Sequence, residues 1–146
     1  MIENNSGHVV TIASIAGHCG VAGLIDYCAS KFGAVGTDNA LRFELYSVAP
    51  GIKTLCVCPY YIQTGMFAGI TECRFPWLIP TLQPQYVADR VVASIIAGDA
   101  VLFMPRFLNL VPLLRGLFTV RQQDRVADFL GFSKSMDTFV GHGGAK

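Results

Sequence analysis

Charge is scarce in this sequence. Only 14% of its 146 residues are Asp, Glu, Lys or Arg, and eleven Lys plus Arg against ten Asp plus Glu leave a formal charge of +1. A chain so nearly neutral has no long-range field with which to gather a phosphate backbone, so no nucleic acid partner is expected. Metal-holding cysteine pairs are missing too. Cys19, Cys28, Cys56, Cys58 and Cys73 form an odd set with no CxxC pair and no histidine at zinc spacing. Neither a disulfide framework nor a metal site is expected, and reduced thiols on the cytosolic side are. The start, Met1-Ile-Glu-Asn-Asn, shows neither the basic nor the apolar region of a secretory signal. Internal repeats and low-complexity tracts are absent as well. What is abundant is apolar: 52% of the residues are hydrophobic and the mean hydropathy is +0.46, values that exclude intrinsic disorder. The length favours one domain that buries roughly two thirds of its unfolded surface.

Hydrophobic periodicity divides the chain into alternating elements. Gly7-His-Val-Val-Thr-Ile-Ala13 is a β-branched run bounded by breakers and reads as a strand. From Tyr27 to Ala49 there is no proline, and Phe32, Val35, Leu41, Leu45 and Val48 form a helical stripe closed by Ala49-Pro-Gly51. Ile52 to Cys58 is a second strand, apolar on both faces and stopped by Pro59. An irregular excursion over 60–82 follows, of a length that tends to be functional. Pro84 then opens a helix with Gly98 as its cap, and Ala100 to Met104 is a third strand ended by Pro105. Strand, helix, strand, loop, helix, strand predicts an α/β fold with a parallel sheet and right-handed crossovers. Three parallel strands leave apolar edges open, so the expectation is a partial, doubly wound, Rossmann-like sheet that belongs to a larger one. Residues 1–105 form this body, and 106–146 an apolar tail that faces a membrane or a partner.

One constellation can do chemistry. Ser14 stands at a strand end where open α/β sheets place ligands, while Tyr27 and Lys31 are one helical turn apart on one face. A free phenol, with an ordinary pKa near 10, is a poor base at neutral pH, and a neighbouring ammonium favours the phenolate. Tyr and Lys four apart also occur in helices where the ring merely packs and the amine is solvated. Ser14, with the small Ala29 and Ser30 between Tyr27 and Lys31, shifts the reading toward a site.

These residues resemble the short-chain dehydrogenase/reductase family, whose active site pairs a serine with a Tyr-x-x-x-Lys helix. The matching text is Ser14, then Asp26-Tyr-Cys-Ala-Ser-Lys-Phe-Gly33, Gly51-Ile-Lys-Thr-Leu-Cys-Val-Cys-Pro59, Thr64-Gly-Met-Phe67 and Met136-Asp-Thr-Phe-Val140. It is similar to the branch of retinol and 17-beta-hydroxysteroid dehydrogenases. The resemblance implies Tyr27 as general acid/base, Lys31 as the cation that tunes it and holds the nicotinamide ribose, and Ser14 as the group that orients the substrate oxygen. It further implies NAD or NADP as cofactor, with Pro59, Ile62 and Thr64 at the nicotinamide. The substrate would be a hydrophobic alcohol or carbonyl, retinoid- or steroid-like. The enzyme would sit on the cytosolic face of the endoplasmic reticulum membrane or a lipid droplet, and a homo-oligomer is a candidate assembly. The family's TGxxxGxG turn, its Asn-Asn-Ala-Gly stretch and its catalytic asparagine are not in this sequence, so the chain reads as the C-terminal half of such an enzyme. It is expected to lack the N-terminal dinucleotide-binding half and to be inactive alone. The alternative is a non-catalytic half-domain that binds a membrane or a partner through its sheet edge and tail.

Smaller signals carry blander readings. Cys56 and Cys58 read as core, and His8 and His18 as surface or loop residues without catalytic duty. Phe67, Phe75 and Trp77 are either ordinary cover or a lid over an apolar substrate. Val101 to Val120 is interrupted by Pro105, Arg106, Pro112 and Arg115, which disfavours a spanning helix. It reads as an interfacial segment or as a surface packed on a partner subunit. Gly141, His142, Gly143 and Gly144 read as a frayed end.

Overall fold

Val9, Val10, Thr11 and Ile12 have side chains branched at Cβ and stiff in the extended state, and they carry the first strand, β1 (Gly7–Ile12). In the computed structural model, which describes residues 1–67, 69–71 and 73–139, β1 pairs in parallel with β2 (Ile52–Pro59), and β2 pairs in parallel with β3 (Val101–Met104). The sheet order is β1-β2-β3. The register sets Ile12 beside Val57 and Cys58 beside Phe103. The central strand is buried on both faces, with Leu55, Val57 and Cys58 no more than 1% exposed, as its unbroken apolar run predicts.

Helix α1 (Ile25–Val48) joins β1 to β2. It begins ahead of Tyr27 because Ile25 and Asp26 complete the first turn, the Asp26 carboxylate accepting the Tyr27 N–H at 2.8 Å. It stops where Ala49 precedes Pro50, a position pushed out of the helical region. The buried line is Cys28, Val35, Asp38 and Leu45, whereas Phe32 and Val48 of the expected stripe are 38% and 68% exposed. Steps of seven and three along α1 keep that line on one face. Helix α2 (Pro84–Ala97) has Pro84 in its first turn and Gly98 as a left-handed cap at φ +76°, the asymmetry the sequence predicts.

Ile52 packs with Leu45 and Ala49, so α1 covers the face of β2 that also carries Thr54, Cys56 and Cys58. The last turn of α2 closes beside Lys53, whose side chain lies against Gly98, and α2 covers the opposite face with Leu55 and Val57. Both steps across the sheet run the same way while the helices take opposite faces, so the two crossovers differ in hand. The expectation of right-handed crossovers throughout therefore fails. The connection over 60–82, far longer than a tight loop, carries the chain around the rim and escapes the steric rule that fixes the hand of short crossovers. Among its described residues the regular features are a 3-10 turn at Gly65–Phe67 and an isolated bridge between Ile62 and Leu82.

Beyond β3, a 3-10 turn at Arg106–Asn109 leads into α3 (Leu110–Leu117) and α4 (Val120–Phe129). Pro112 is tolerated in the first turn of α3, where backbone N–H groups have no intrahelical acceptor. Thr119 and Gln122 form a reciprocal capping box at the start of α4. The chain then returns over the excursion: Thr71 N–H donates to Ser135 O and Arg74 N–H to Leu130 O, each at 2.9 Å. Among the described residues no helix is long and apolar enough to cross a membrane. Val140, Gly141, His142, Gly143 and Gly144 lie outside the described residues. The accessible surface is 9124 Å², above the roughly 7,300 Å² expected of a closed globule of this mass. Large apolar side chains left exposed include Phe43 and Tyr46 on α1 and Leu113 and Leu117 on α3.

Candidate active site

The pairing of β1 with β2 continues one residue past the strand, with Ala13 N–H donating to Val57 O at 2.9 Å. Ser14 is thereby delivered to the C-terminal rim of the sheet beside Pro59, the last residue of β2. Its buried hydroxyl caps a 3-10 turn (Ile15–Gly17), accepting the Ala16 N–H at 3.2 Å and donating to the Pro59 carbonyl at 3.4 Å. The second bond is long for an O–H donor, so a better acceptor arriving at the rim can take it over.

This turn is pressed against α1. A Cβ built on Gly17 would stand 2.5 Å from the Lys31 carbonyl oxygen and 2.7 Å from Val35 Cγ2. Glycine is what lets the serine's turn lie so close to the helix that carries the tyrosine and lysine. Sequence reasoning missed Gly17; the available signal was a glycine three residues after a serine that ends a strand.

Tyr27 and Lys31 occupy successive turns of α1. Lys31 Nζ donates to Ile12 O, the end of β1, at 3.0 Å and lies 5.6 Å from the centre of the Tyr27 ring. Ser14, Tyr27 and Lys31 thus gather around one strand end, tied to it by Ala13 and Ile12. The Tyr27 ring is half-buried and meets Phe67 of the excursion edge-on at 5.9 Å. Ile62 and Thr64 stand apart from this group, with no hydrogen bond to Ser14, Tyr27 or Lys31 among the described residues. Thr64 N–H donates to Ile62 O at 2.7 Å and its side chain is exposed. Of the three aromatics read as cover or lid, only Phe67 touches Tyr27. Trp77 is 78% exposed with Phe75 as its ring neighbour.

These donors fit the ribose and nicotinamide end of a dinucleotide. Lys31 spends one of its three N–H bonds on Ile12. The Ile62 N–H and the Thr64 hydroxyl make no hydrogen bond among the described residues. The pyrophosphate is another matter, because the glycines of Gly33-Ala-Val-Gly36 lie inside α1 and those of Gly20-Val-Ala-Gly23 in a loop. Neither forms the strand-to-helix turn that presents backbone N–H groups to phosphate.

His18, read as a surface or loop residue, stands in the turn that follows Gly17. It is half-buried, its Nε2 lies 3.4 Å from Cys58 Sγ and its ring 4.9 Å from Phe103. Burial, helped by the Arg115 guanidinium, lowers its pKa and keeps the ring neutral. Arg115 of α3 donates to the His18 carbonyl and lies over the Phe32 ring at 5.5 Å. Cys56 and Cys58 are buried as expected, their sulfurs 3.7 Å apart. The bond with Cys56, then burial, raises the Cys58 thiol, and burial pushes Cys19 up to about 11. Burial also raises the Tyr61 phenol. Among the described residues no group of His, Cys, Asp and Glu could hold a metal ion.

Comparison with known proteins bears on this arrangement directly. Residues 1–74 match the short chain dehydrogenase family model. The chain is 41% identical over 142 residues to mouse epidermal retinol dehydrogenase 2, covering 97% of this chain and 46% of that protein. It is 38% identical over 146 residues to human retinol dehydrogenase 10, covering 96% and 42%. The chain therefore spans about half the length of the curated relatives it matches. A short chain dehydrogenase from Burkholderia cenocepacia J2315, solved with NADP, superposes with a TM-score of 0.61 at 21% identity, over 88% of this chain and 49% of that one. That likeness shows the fold, a part of the Rossmann-like sheet. With the rim geometry and the sequence match in agreement, the chain belongs to the short chain dehydrogenase family.

Proposed function

We propose that this chain supplies the proton-transfer and nicotinamide-side half of an NAD(P)-dependent oxidoreductase that interconverts an apolar alcohol and its carbonyl, with a retinol-like alcohol as substrate. The observation that carries the reading is Lys31 held between Ile12 O and the Tyr27 ring, one residue away from the strand continuation that delivers Ser14. Tyr27, as phenolate, takes the proton from the substrate hydroxyl in oxidation and, as phenol, returns it in reduction. Ser14, released from Pro59, donates to the same oxygen and fixes its position. Lys31 keeps a positive charge beside the ring and turns its free N–H bonds toward ribose hydroxyls, while Ile62 N–H and Thr64 face the carboxamide. The nicotinamide, when bound, accepts or gives the hydride. Names of the relatives, retinol dehydrogenases among them, support the choice of alcohol, and NADP in the Burkholderia structure supports the choice of cofactor.

The test is a chimera in which this chain replaces the matching half of mouse epidermal retinol dehydrogenase 2. Retinol-dependent reduction of NAD or NADP is expected. Tyr27→Phe should cost about 10²- to 10⁴-fold in kcat, the usual contribution of a positioned proton donor. A folded chimera in which Tyr27→Phe turns over as fast as its parent removes the proposal. The 146-residue chain alone is expected to bind no NAD(P)H, because its sequence gives the pyrophosphate no glycine-rich turn. Micromolar binding in a fluorescence titration would contradict that.

A further inference from the structure

We propose that Met136 is a specificity-determining residue, forming the wall against which the carbon skeleton of the alcohol lies beside Tyr27. The proposal rests on the oxidoreductase reading and extends that site to the segment that follows α4.

Beside the sheet core stands a second, smaller apolar cluster. Ala16, Leu24 and Cys28 are its buried members, and Tyr27, Phe67 and Met136 are among the half-buried side chains that pack on them. Ala16 belongs to the turn that Ser14 caps, while Leu24 and Cys28 flank Tyr27 at the start of α1. The cluster therefore lies between the two hydroxyls of the site and leaves part of each outer side chain bare. A lining that takes an apolar skeleton, with a few polar groups that fix its reacting end, is the build of a small-molecule site.

Met136 owes its place to its neighbours. Ser135, 1% exposed, accepts the Thr71 N–H on its carbonyl at 2.9 Å, donates its hydroxyl to Phe132 O at 3.0 Å and shares a hydrogen bond with the Tyr61 phenol. Thr138 donates to Gly69 O at 2.6 Å, and its hydroxyl meets that of Thr71 at 2.9 Å. With residues on both sides of it tied to the excursion, Met136 reaches the loop that leads into α1. A Cβ built on Gly23 would stand 3.0 Å from Met136 Cβ, and Gly23 has φ +80°, so the loop admits the methionine because glycine stands there. Phe139 of the same segment meets Phe67 at 6.5 Å, and Phe67 meets the Tyr27 ring at 5.9 Å. An unbranched thioether with three rotatable bonds adapts to irregular shapes, which suits a wall for a long apolar skeleton.

The first experiment titrates the full 146-residue chain with retinol and reads the retinol fluorescence. Wild type should bind. Met136→Ala should weaken binding about tenfold, as the loss of apolar contact in a pocket does, and Met136→Leu, of similar volume, should keep most of it. Trp77→Ala, in the same covering layer at 78% exposure, should leave binding as it is. Should Met136→Ala unfold, as read by far-ultraviolet circular dichroism, Met136→Gln keeps the length of the side chain, and its amide should weaken binding likewise. A wild-type chain that binds no retinol overturns the proposal, as does a folded alanine or glutamine variant that binds as tightly as wild type. The second experiment uses the chimera. Met136→Ala should raise KM for retinol about tenfold at unchanged kcat, and should leave kcat/KM for butan-1-ol, too short to reach the wall, unchanged. An equal loss for both alcohols overturns the proposal, because Met136 would then only hold the site's fold together. Retinol binding is read without cofactor or turnover. Binding that depends on Met136, in a chain whose chimera oxidises no alcohol, therefore removes the oxidoreductase reading and supports the wall.

Discussion

The C-terminal rim of the sheet and the layer that covers it are built differently. At the rim, Ser14 and Lys31 are fixed by bonds to backbone atoms of the strands, to Pro59 O and Ile12 O. These acceptors end β1 and β2, and the central members of β2 are buried. The covering layer, made of the excursion 60–82 and the chain from the end of α4 onward, is held by ring contacts such as Phe67 on Tyr61 at 5.0 Å and Phe75 on Phe129 at 5.8 Å. A few backbone bonds, Thr71 to Ser135 and Arg74 to Leu130, add to them. The lesson is a division of labour. Groups that handle a proton need fixed geometry and take it from the sheet, whereas groups that enclose an apolar molecule need shape that can adjust and take it from aromatic edges.

Substitutions can break that contrast. Leu55, 0% exposed at the centre of β2, supports the rim from below, and Leu55→Ala should cost about 2–5 kcal/mol in urea unfolding. Trp77→Ala, in the covering layer at 78% exposure, should stay within about 0.5 kcal/mol. Equal costs would mean that the cover is as much a part of the core as the sheet. Next in size is Gly17→Ala, which forces a methyl group against Lys31 O and should cost about 1–3 kcal/mol. Gly20→Ala, with nothing within 4 Å of the new Cβ, is its matched control and should be near neutral. In the chimera, Gly17→Ala should also lower kcat, because the turn holding Ser14 is displaced from α1. Smaller again, Thr119→Ala removes the capping box of α4 and should cost about 1 kcal/mol, read as a lower melting temperature.

Much of this was legible from local signals. Pro59, Pro84 and Gly98 punctuate the chain where the structure ends β2, opens α2 and caps it, because each acts through its own backbone. Tyr27 and Lys31 were legible for the same reason: four residues apart on a helix is a geometric statement needing no knowledge of the rest of the fold. What escaped depends on which faces meet. Gly17 matters through Lys31 and Val35, His18 through Cys58 and Phe103, and no periodicity encodes such contacts. Asp38 is 1% exposed, with both carboxylate oxygens unbonded among the described residues, on a line of α1 where a pattern reader expects an apolar side chain. The hand of the second crossover was hidden as well, since the rule it departs from describes short connections.

The smallest expected effect concerns pH and follows from His18. Its folded pKa lies below the ordinary 6.5 because burial, and then the Arg115 charge, disfavour the imidazolium. The unfolded chain binds a proton near pH 6.5 that the folded chain still refuses, so the stability this ring contributes is fully present above that value. It is lost progressively as pH falls through 6.5 toward the folded pKa. Unfolding of wild type and of His18→Gln, compared between pH 7.5 and pH 5, isolates the contribution, since His8 and the carboxylates are common to both and cancel in the difference. The wild type should lose more stability on acidification than the variant. A parallel fall in both would mean that the His18 ring meets water freely in the folded chain. Its place between Cys58, Phe103 and Arg115 would then have to be given up, and with it the strap by which α3 holds the serine's turn.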